Sequence, residues 1–269
     1  MNKSELRKAL VAAVRAAHAA GKLMRQNLRA TKKVNAKTSH DIKLELDVRC
    51  QKLIEKLLWR AFPKISLLGE EGDSGAVNEA LRWVVDPIDG TVNFAYGIPH
   101  ACVSIALQTR RSKFRVSSSK SPEYETIVGV VYDPFTDETW TAMRGEPTRL
   151  NGQVTTVSAR KELKEAIVCV GFAKSRHSLE RALPHFIWMA RRVRKMRMMG
   201  AAALGLAYVA SGRFDAYIER GVSLWDVAAG GLLIECAGGK FWTEQVSGTQ
   251  KIRMVASNGL IHGKLPLPR

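Results

Sequence analysis

The chain has no apolar run near the roughly 18 residues that a membrane-spanning helix requires, so no membrane contact is expected. Met1 to Ala20 is Ala-rich and amphipathic, but lacks the separate apolar core of a secretory signal. Cysteine is scarce. Cys50, Cys102, Cys169 and Cys236 are widely spaced and form no CxxC pair. That excludes a zinc ribbon or a disulfide scaffold and predicts small core residues in a reducing cytoplasm. Internal repeats are missing, which excludes a solenoid. Acids are also few: 25 Asp and Glu face 42 Lys and Arg, for a net charge of +17. Such a surplus attracts phosphorylated molecules, nucleic acid or anionic surfaces. Aromatics make up only 7% of the chain. They are sparse beside the basic run Arg191, Arg192, Arg194, Lys195 and Arg197, so a base-stacking platform for single strands is not expected there.

What is present is ordinary for a globular protein. The 269 residues, 46% of them hydrophobic, suffice for one large domain or two intimate halves. The most informative stretch is Trp83-Val84-Val85-Asp86-Pro87-Ile88-Asp89-Gly90-Thr91. It begins as an apolar, buried-strand run and then places two carboxylates three residues apart. Pro87 holds Asp86 extended, and Gly90 permits a sharp turn. A short helix is expected from about Thr91. Two acids on one turn repel unless a cation lies between them, and hard oxygen ligands suit magnesium. The free amides at the start of the next helix would face an anion. A solvated Asp-Pro loop is the plain alternative.

Elsewhere the patterns are mixed. Apolar residues recur at helical spacing over 3–28, from Leu6 and Leu10 to Met24 and Leu28. A polar, basic connection follows over 29–43. Ile42 to Asp47 alternates like a half-buried strand, and Asp47 is placed to cap the helix carrying Cys50, Ile54 and Leu58. Ile65 to Leu68 reads as a strand delivering Glu70. His100 to Leu107 reads as another, and Ile127 to Tyr132 pairs with Glu138 to Met143. The basic segment 110–124 is expected to be a hairpin extension or loop. Beyond a half-boundary near 150, strand 166–171, helix 178–197, helix 200–211, strand 215–219 and helix 226–237 give an α/β pattern.

Three motifs occur in order: Gly69-Glu70-Glu71, Asp86-Pro87-Ile88-Asp89-Gly90-Thr91, and Trp225-Asp226 before a small-residue helix. With Gly97-Ile98-Pro99, Leu150-Asn151-Gly152 and Ala210-Ser211-Gly212, they resemble the inositol monophosphatase family over most of the chain. The resemblance implies an α+β fold, the layered αβαβα sandwich shared with fructose bisphosphatase. It implies an N-terminal half (1–150) carrying most metal ligands and a C-terminal half (151–269) carrying Asp226 and substrate contacts.

The same resemblance implies a magnesium-dependent phosphatase with two or three Mg²⁺ ions. Glu70, Asp86 and the Ile88 carbonyl are expected at one ion, and Asp86, Asp89 and Asp226 at another. Glu70 and Thr91 are expected to activate water. Gly90, Thr91, Ala202, Glu219 and Asp226 are expected to touch substrate. Lys37 and Asp41 match a loop near the metals, although the Val-Thr that precedes the family's acidic pair is absent here. Thr91 and Asp226 read equally as helix caps, and Glu219 as a partner of Arg220. The implied substrate is a small polyol phosphate, first myo-inositol 1-phosphate. Histidinol phosphate, fructose 1,6-bisphosphate and 3′-phosphoadenosine nucleotides are the alternatives. Ala201 lacks the hydroxyl that the family usually carries after the Gly. A homodimer is the family's habit. The rival expectation is an RNA- or RNA-polymerase-associated factor, binding nucleic acid through the basic clusters at 110–120 and 191–197.

Overall fold

The computed structural model describes residues 1–37, 42–75, 80–111, 124–171 and 176–267. The chain opens with helix α1 (Lys3–Asn27), strands β1 (Val34–Lys37) and β2 (Ile42–Leu44), and helix α2 (Glu45–Ala61). Strands β3 (Ser66–Gly69) and β4 (Leu81–Asp89) lead to the short helix α3 (Thr91–Ala95). Then come β5 (Cys102–Arg110), β6 (Tyr124–Asp133), β7 (Glu138–Met143), β8 (Arg149–Leu150) and β9 (Gln153–Val154). The remainder is β10 (Ile167–Val170), α4 (Arg176–Ala190), β11 (Lys195–Arg197), α5 (Ala202–Ala210), β12 (Ala216–Val222), α6 (Leu224–Cys236), β13 (Lys240–Gln245) and β14 (Ile252–Ser257).

β3 to β9 form a seven-stranded sheet in chain order, parallel at β3–β4 and antiparallel beyond. A five-stranded sheet runs β11-β10-β12-β14-β13. The alternation of β4 and β5 explains the layering. Trp83, Val85, Val103, Ile105 and Leu107 face α1 and α2, while Val84, Cys102 and Ala106 face α5 and α6. On the far side of α5 and α6 lies the five-stranded sheet, through Tyr217, Met254 and Phe241. Met189 of α4 covers its outer face with Val168, Val170 and Val255. The layers are therefore αβαβα. The core between the sheets joins residues of both expected halves, Val131 and Trp140 with Leu206 and Leu232.

Helix α6 explains why its sequence is so small and apolar. It is buried on every side from Val227 to Ile234, as a helix between two sheets must be. Gly129 of β6 lets it approach closely. A Cβ there would sit 2.9 Å from the Ala229 carbonyl oxygen and 3.2 Å from its Cα.

Several expectations need correction. The strand expected over 42–47 stops at Leu44, and α2 starts at Glu45. Leu46 repeats every fourth residue with Cys50, Ile54 and Leu58, so the helical period prevails. Asp47 serves the cap from the third helical position, accepting the Leu44 amide at 2.7 Å. The helix expected over 178–197 ends at Ala190, and Lys195–Arg197 is instead an edge strand parallel to β10. Arg110 pairs with Tyr124, but 112–123, which hold most of the first basic cluster, lie outside the described residues, as does Asp41. Nothing is described for the Lys37 side chain. Among the described residues no helix is long and apolar enough to cross a membrane.

Because the neighbours of Gly129 are backbone, they cannot move aside. Gly129→Ala should cost about 2 kcal/mol by overpacking and lower the thermal midpoint by roughly 4–8 °C. Thermal unfolding checks this; an unchanged midpoint would remove the close approach as a constraint on α6.

Candidate active site

The end of β4 continues extended through Asp89, with a bulge between Asp86 and Asp89 against β5. Gly90 then turns at φ 89°, in the left-handed region, and α3 begins at Thr91. This turn forms one wall of a cleft of about 420 Å³. Glu70 enters just after β3, Glu219 from β12 and Asp226 from the first turn of α6. All nine residues expected at the site line this one cleft: Glu70, Asp86, Ile88, Asp89, Gly90, Thr91, Ala202, Glu219 and Asp226. No Lys, Arg or His is among the described residues lining it, in a chain of net charge +17.

The local bonds show how each group is held. Ile88 buries its side chain under α1 and α2, its amide donates to Asp86 Oδ1 at 3.0 Å, and its carbonyl accepts the Thr91 hydroxyl at 2.8 Å. Asp89 accepts the amides of Ala202 on Oδ1 at 2.9 Å and of Ala203 on Oδ2 at 2.8 Å. The amide of Ala202 is thus engaged by Asp89. A carboxylate has about four lone-pair sites, so Asp89 Oδ1 retains capacity for a cation. Asp226 accepts the Ser223 amide at 2.7 Å, so it caps α6 from the third helical position as well as facing the cleft. Tyr217 donates its hydroxyl to Glu219.

Burial makes these charges costly. Asp86 is only 2% exposed. Its pKa is well above the usual carboxylate range, first from burial and then from the charges of Glu70, Asp89 and Asp226. Glu70 also hydrogen-bonds to it. Asp89 is pushed up to about 7 by burial and Asp226, while the α5 amides pull the other way. Burial and the neighbouring Asp89 raise the Cys102 thiol, which stays protonated and donates to Asp89 Oδ2 at 3.4 Å. Converging carboxylates, with Asp86 and Asp89 buried among them, are unfavourable unless cations neutralise them. The donors are hard oxygens, which fits a divalent cation such as magnesium. Among the described residues no three His, Cys, Asp or Glu side chains are closed into a ready cage. Two of the carboxylates are turned partly toward helix amides instead.

Sequence reasoning missed four contributors. Cys102 supports Asp89. Asn93 Nδ2 bonds the carbonyls of His100 at 2.9 Å and Met199 at 2.8 Å, tying α3 to the chain before α5. Gln51 accepts the Glu71 amide at 3.0 Å and so holds the Glu70 turn. Tyr217 orients Glu219, and its place two residues away on the same strand face was the one available signal.

Residues 5–265 match the Inositol monophosphatase family. A Xylella fastidiosa protein named Nus factor SuhB is 38% identical over 229 residues, spanning 84% of this chain and 78% of that one. An inositol-1-monophosphatase of Rhizobium meliloti is 38% identical over 222 residues, 81% of this chain and 77% of that one. The crystal structure of the extragenic suppressor protein suhB from Bartonella henselae superposes with a TM-score of 0.83 at 32% identity, covering 94% of this chain and 95% of that one. The site and the fold lead to the same place: the chain belongs to the inositol monophosphatase family.

Proposed function

We propose that the chain is a magnesium-dependent phosphomonoesterase acting on a small polyol phosphate, with myo-inositol 1-phosphate as the first substrate. The observation that carries this is the convergence of Glu70, Asp86, Asp89, Glu219 and Asp226 on one cleft of a strongly basic chain. Glu70, Asp86, Asp89, Asp226 and the Ile88 carbonyl would hold the ions. Bound there, magnesium would neutralise phosphate charge, lower the pKa of a water and stabilise the leaving oxygen.

The protein's own groups do the rest. Thr91 donates its hydroxyl to the Ile88 carbonyl, which leaves its lone pairs to accept from the attacking water. Glu70, beside Asp86, takes that water's proton as general base. The amides of Gly90 and Thr91 bind phosphate oxygens. Glu219, fixed by Tyr217, accepts hydroxyl hydrogens of the polyol. A Cβ on Gly171 would lie 2.1 Å from the Glu219 carboxyl carbon, so that glycine makes room for it. Tyr217 is the one aromatic lining the cleft among the described residues, and its hydroxyl is engaged. This favours a polyol over an adenosine nucleotide, which would use stacking.

We include a homodimer in the proposal. Leu179, Leu183 and Ile187 recur every four residues on α4 and are exposed, and a second copy would cover them. The second functional reading is a binding factor, favoured by the relative named Nus factor SuhB and by exposed Arg191, Arg192, Arg194, Lys195 and Arg197 on the turn and edge strand after α4.

Asp86→Asn should lower magnesium-dependent phosphate release by about 10²–10³-fold, the equivalent of several kcal/mol of lost charge stabilisation. Phosphate release from myo-inositol 1-phosphate, histidinol phosphate, fructose 1,6-bisphosphate and adenosine 3′,5′-bisphosphate checks this; turnover without magnesium would sink the metal mechanism. Glu219→Gln should raise KM for the polyol substrate about tenfold, the loss of a charged hydrogen bond, and leave p-nitrophenyl phosphate hydrolysis nearly unchanged. Equal losses on both substrates would remove Glu219 from polyol recognition.

Magnesium should also stabilise the fold in a pH-dependent way. The raised pKa of Asp89, about 7, gives the metal-free chain stability that is complete below about pH 4 and lost as pH rises through 7. Protons compete with the cation over that window. The rise in thermal midpoint on adding magnesium should therefore be larger at pH 8 than at pH 5.5. Equal shifts at both pH values would contradict carboxylate ligation.

A further inference from the structure

The cleft does not account for the positive charge, because no base is among the described residues lining it. Residues 1–64 carry 16 of the 42 bases but only 5 of the 25 acids. Helices α1 and α2 account for most of these. They form one outer layer of the sandwich, in contact through Cys50 Sγ and the Ala20 carbonyl. The end of α1 and the start of α2 meet at one small pocket lined by Asn27, Glu45 and Arg49, so the pair is antiparallel.

Their inner faces are spent on the core through Ala9, Ala13, Ala16, Ala20, Ile54 and Leu58. Their outer faces carry Lys8, Arg15 and Lys22 on α1, and Arg49, Lys52, Lys56 and Arg60 on α2. All seven are exposed, and none makes a hydrogen bond or ion pair among the described residues. The spacing is regular. Lys8, Arg15 and Lys22 lie seven residues apart on one face, a row about 21 Å long. Arg49, Lys52, Lys56 and Arg60 follow at intervals of three or four, a second row alongside.

We infer that this double row of cations on α1 and α2 is a binding surface for the phosphate backbone of a nucleic-acid duplex. A duplex presents one charge per about 1.7 Å of axis, so a 21 Å row faces about a dozen phosphates. The surface offers little else. The one large apolar side chain exposed on either helix is Val11, too little for insertion into a lipid interface. No aromatic is available for stacking unpaired bases. The two aromatic rings are engaged, His18 on Tyr132 at 4.1 Å and Trp59 through its indole N–H to the Ile65 carbonyl. A charge-only surface on two packed helices matches a regular backbone without reading sequence. It lies on the opposite side of the sandwich from α4 and the basic turn at 191–194, and is independent of the catalytic proposal.

The test uses the full chain with RNA and DNA duplexes of about 30 base pairs, which distinguish the two sources of backbone. Vesicles of phosphatidylcholine and phosphatidylserine run beside them. Binding to a duplex should fall steeply with salt, with a log–log slope of about −4 to −6. The variant Lys8→Gln, Arg15→Gln, Lys22→Gln, Arg49→Gln, Lys52→Gln, Lys56→Gln should bind at least tenfold more weakly with a visibly shallower slope, at an unchanged thermal midpoint. If that variant unfolds, the two triple variants, one per helix, should each retain the fold and lose part of the affinity. The inference is overturned if the neutralised chains bind within twofold of the parent. It is equally overturned if neutralising Arg191, Arg192 and Arg194 alone removes binding, or if vesicles are retained and neither duplex is.

Discussion

The carboxylate of Asp89 on the amides of α5 is the contact on which the site depends. A helix begins with amides that have no partner inside it, and a side chain at the N-cap usually meets them. The N-cap of α5 is Ala201, which has nothing to offer. Asp89, 113 residues earlier than Ala202, does the capping at 2.9 and 2.8 Å. The end of a strand in one sheet thereby starts the helix that lies between both sheets. The contact also makes a buried carboxylate tolerable where burial and Asp226 oppose it. Asn93 repeats the arrangement nearby by holding the Met199 carbonyl. The cleft is thus formed where two parts of the chain are stitched together, and its charges take part in the stitching.

The same contact shows which parts of the molecule could be read from residues alone. Asp86, Asp89, Gly90 and Thr91 were legible because they act locally: proline, glycine and the acid spacing define a turn within six residues. The sandwich, Glu70 and Asp226 came only through the likeness of ordered motifs. The capping of α5 by Asp89, the Cys102 donor and the Asn93 bridge left no local trace, since each joins residues far apart in the chain. Edge strand β11 escaped because its three residues are mostly charged, a composition that protects sheet edges and also reads as helix surface. The start of α2 was misread because Ile42 to Asp47 satisfies both periods. Burial of Leu46 with Cys50 and Ile54 decides for the helix.

Layering separates tasks. The cleft uses strand ends and the first turns of buried helices. The outermost helices contribute to it by filling the core and, through buried Gln51 of α2, by holding the Glu70 turn, so the exposed faces of α1, α2 and α4 can change charge without disturbing Asp86 or Asp89. Two relatives of equal similarity, one named as a phosphatase and one as a Nus factor, are compatible with such a division, since a fold does not dictate its function.

Charge sign joins the metal and phosphate arguments. A phosphate dianion entering a cleft on which five carboxylates converge, with no base among the described residues lining it, meets repulsion. A single unit pair at 4 Å and an effective dielectric near 20 gives about 4 kcal/mol. The +17 of the whole chain raises the concentration of anions around the molecule, but a distant, screened field does not reverse the sign at contact distance. Cations lodged among the carboxylates would do that. A phosphoester substrate and a divalent ion are therefore one hypothesis at this site, and evidence against either would count against both.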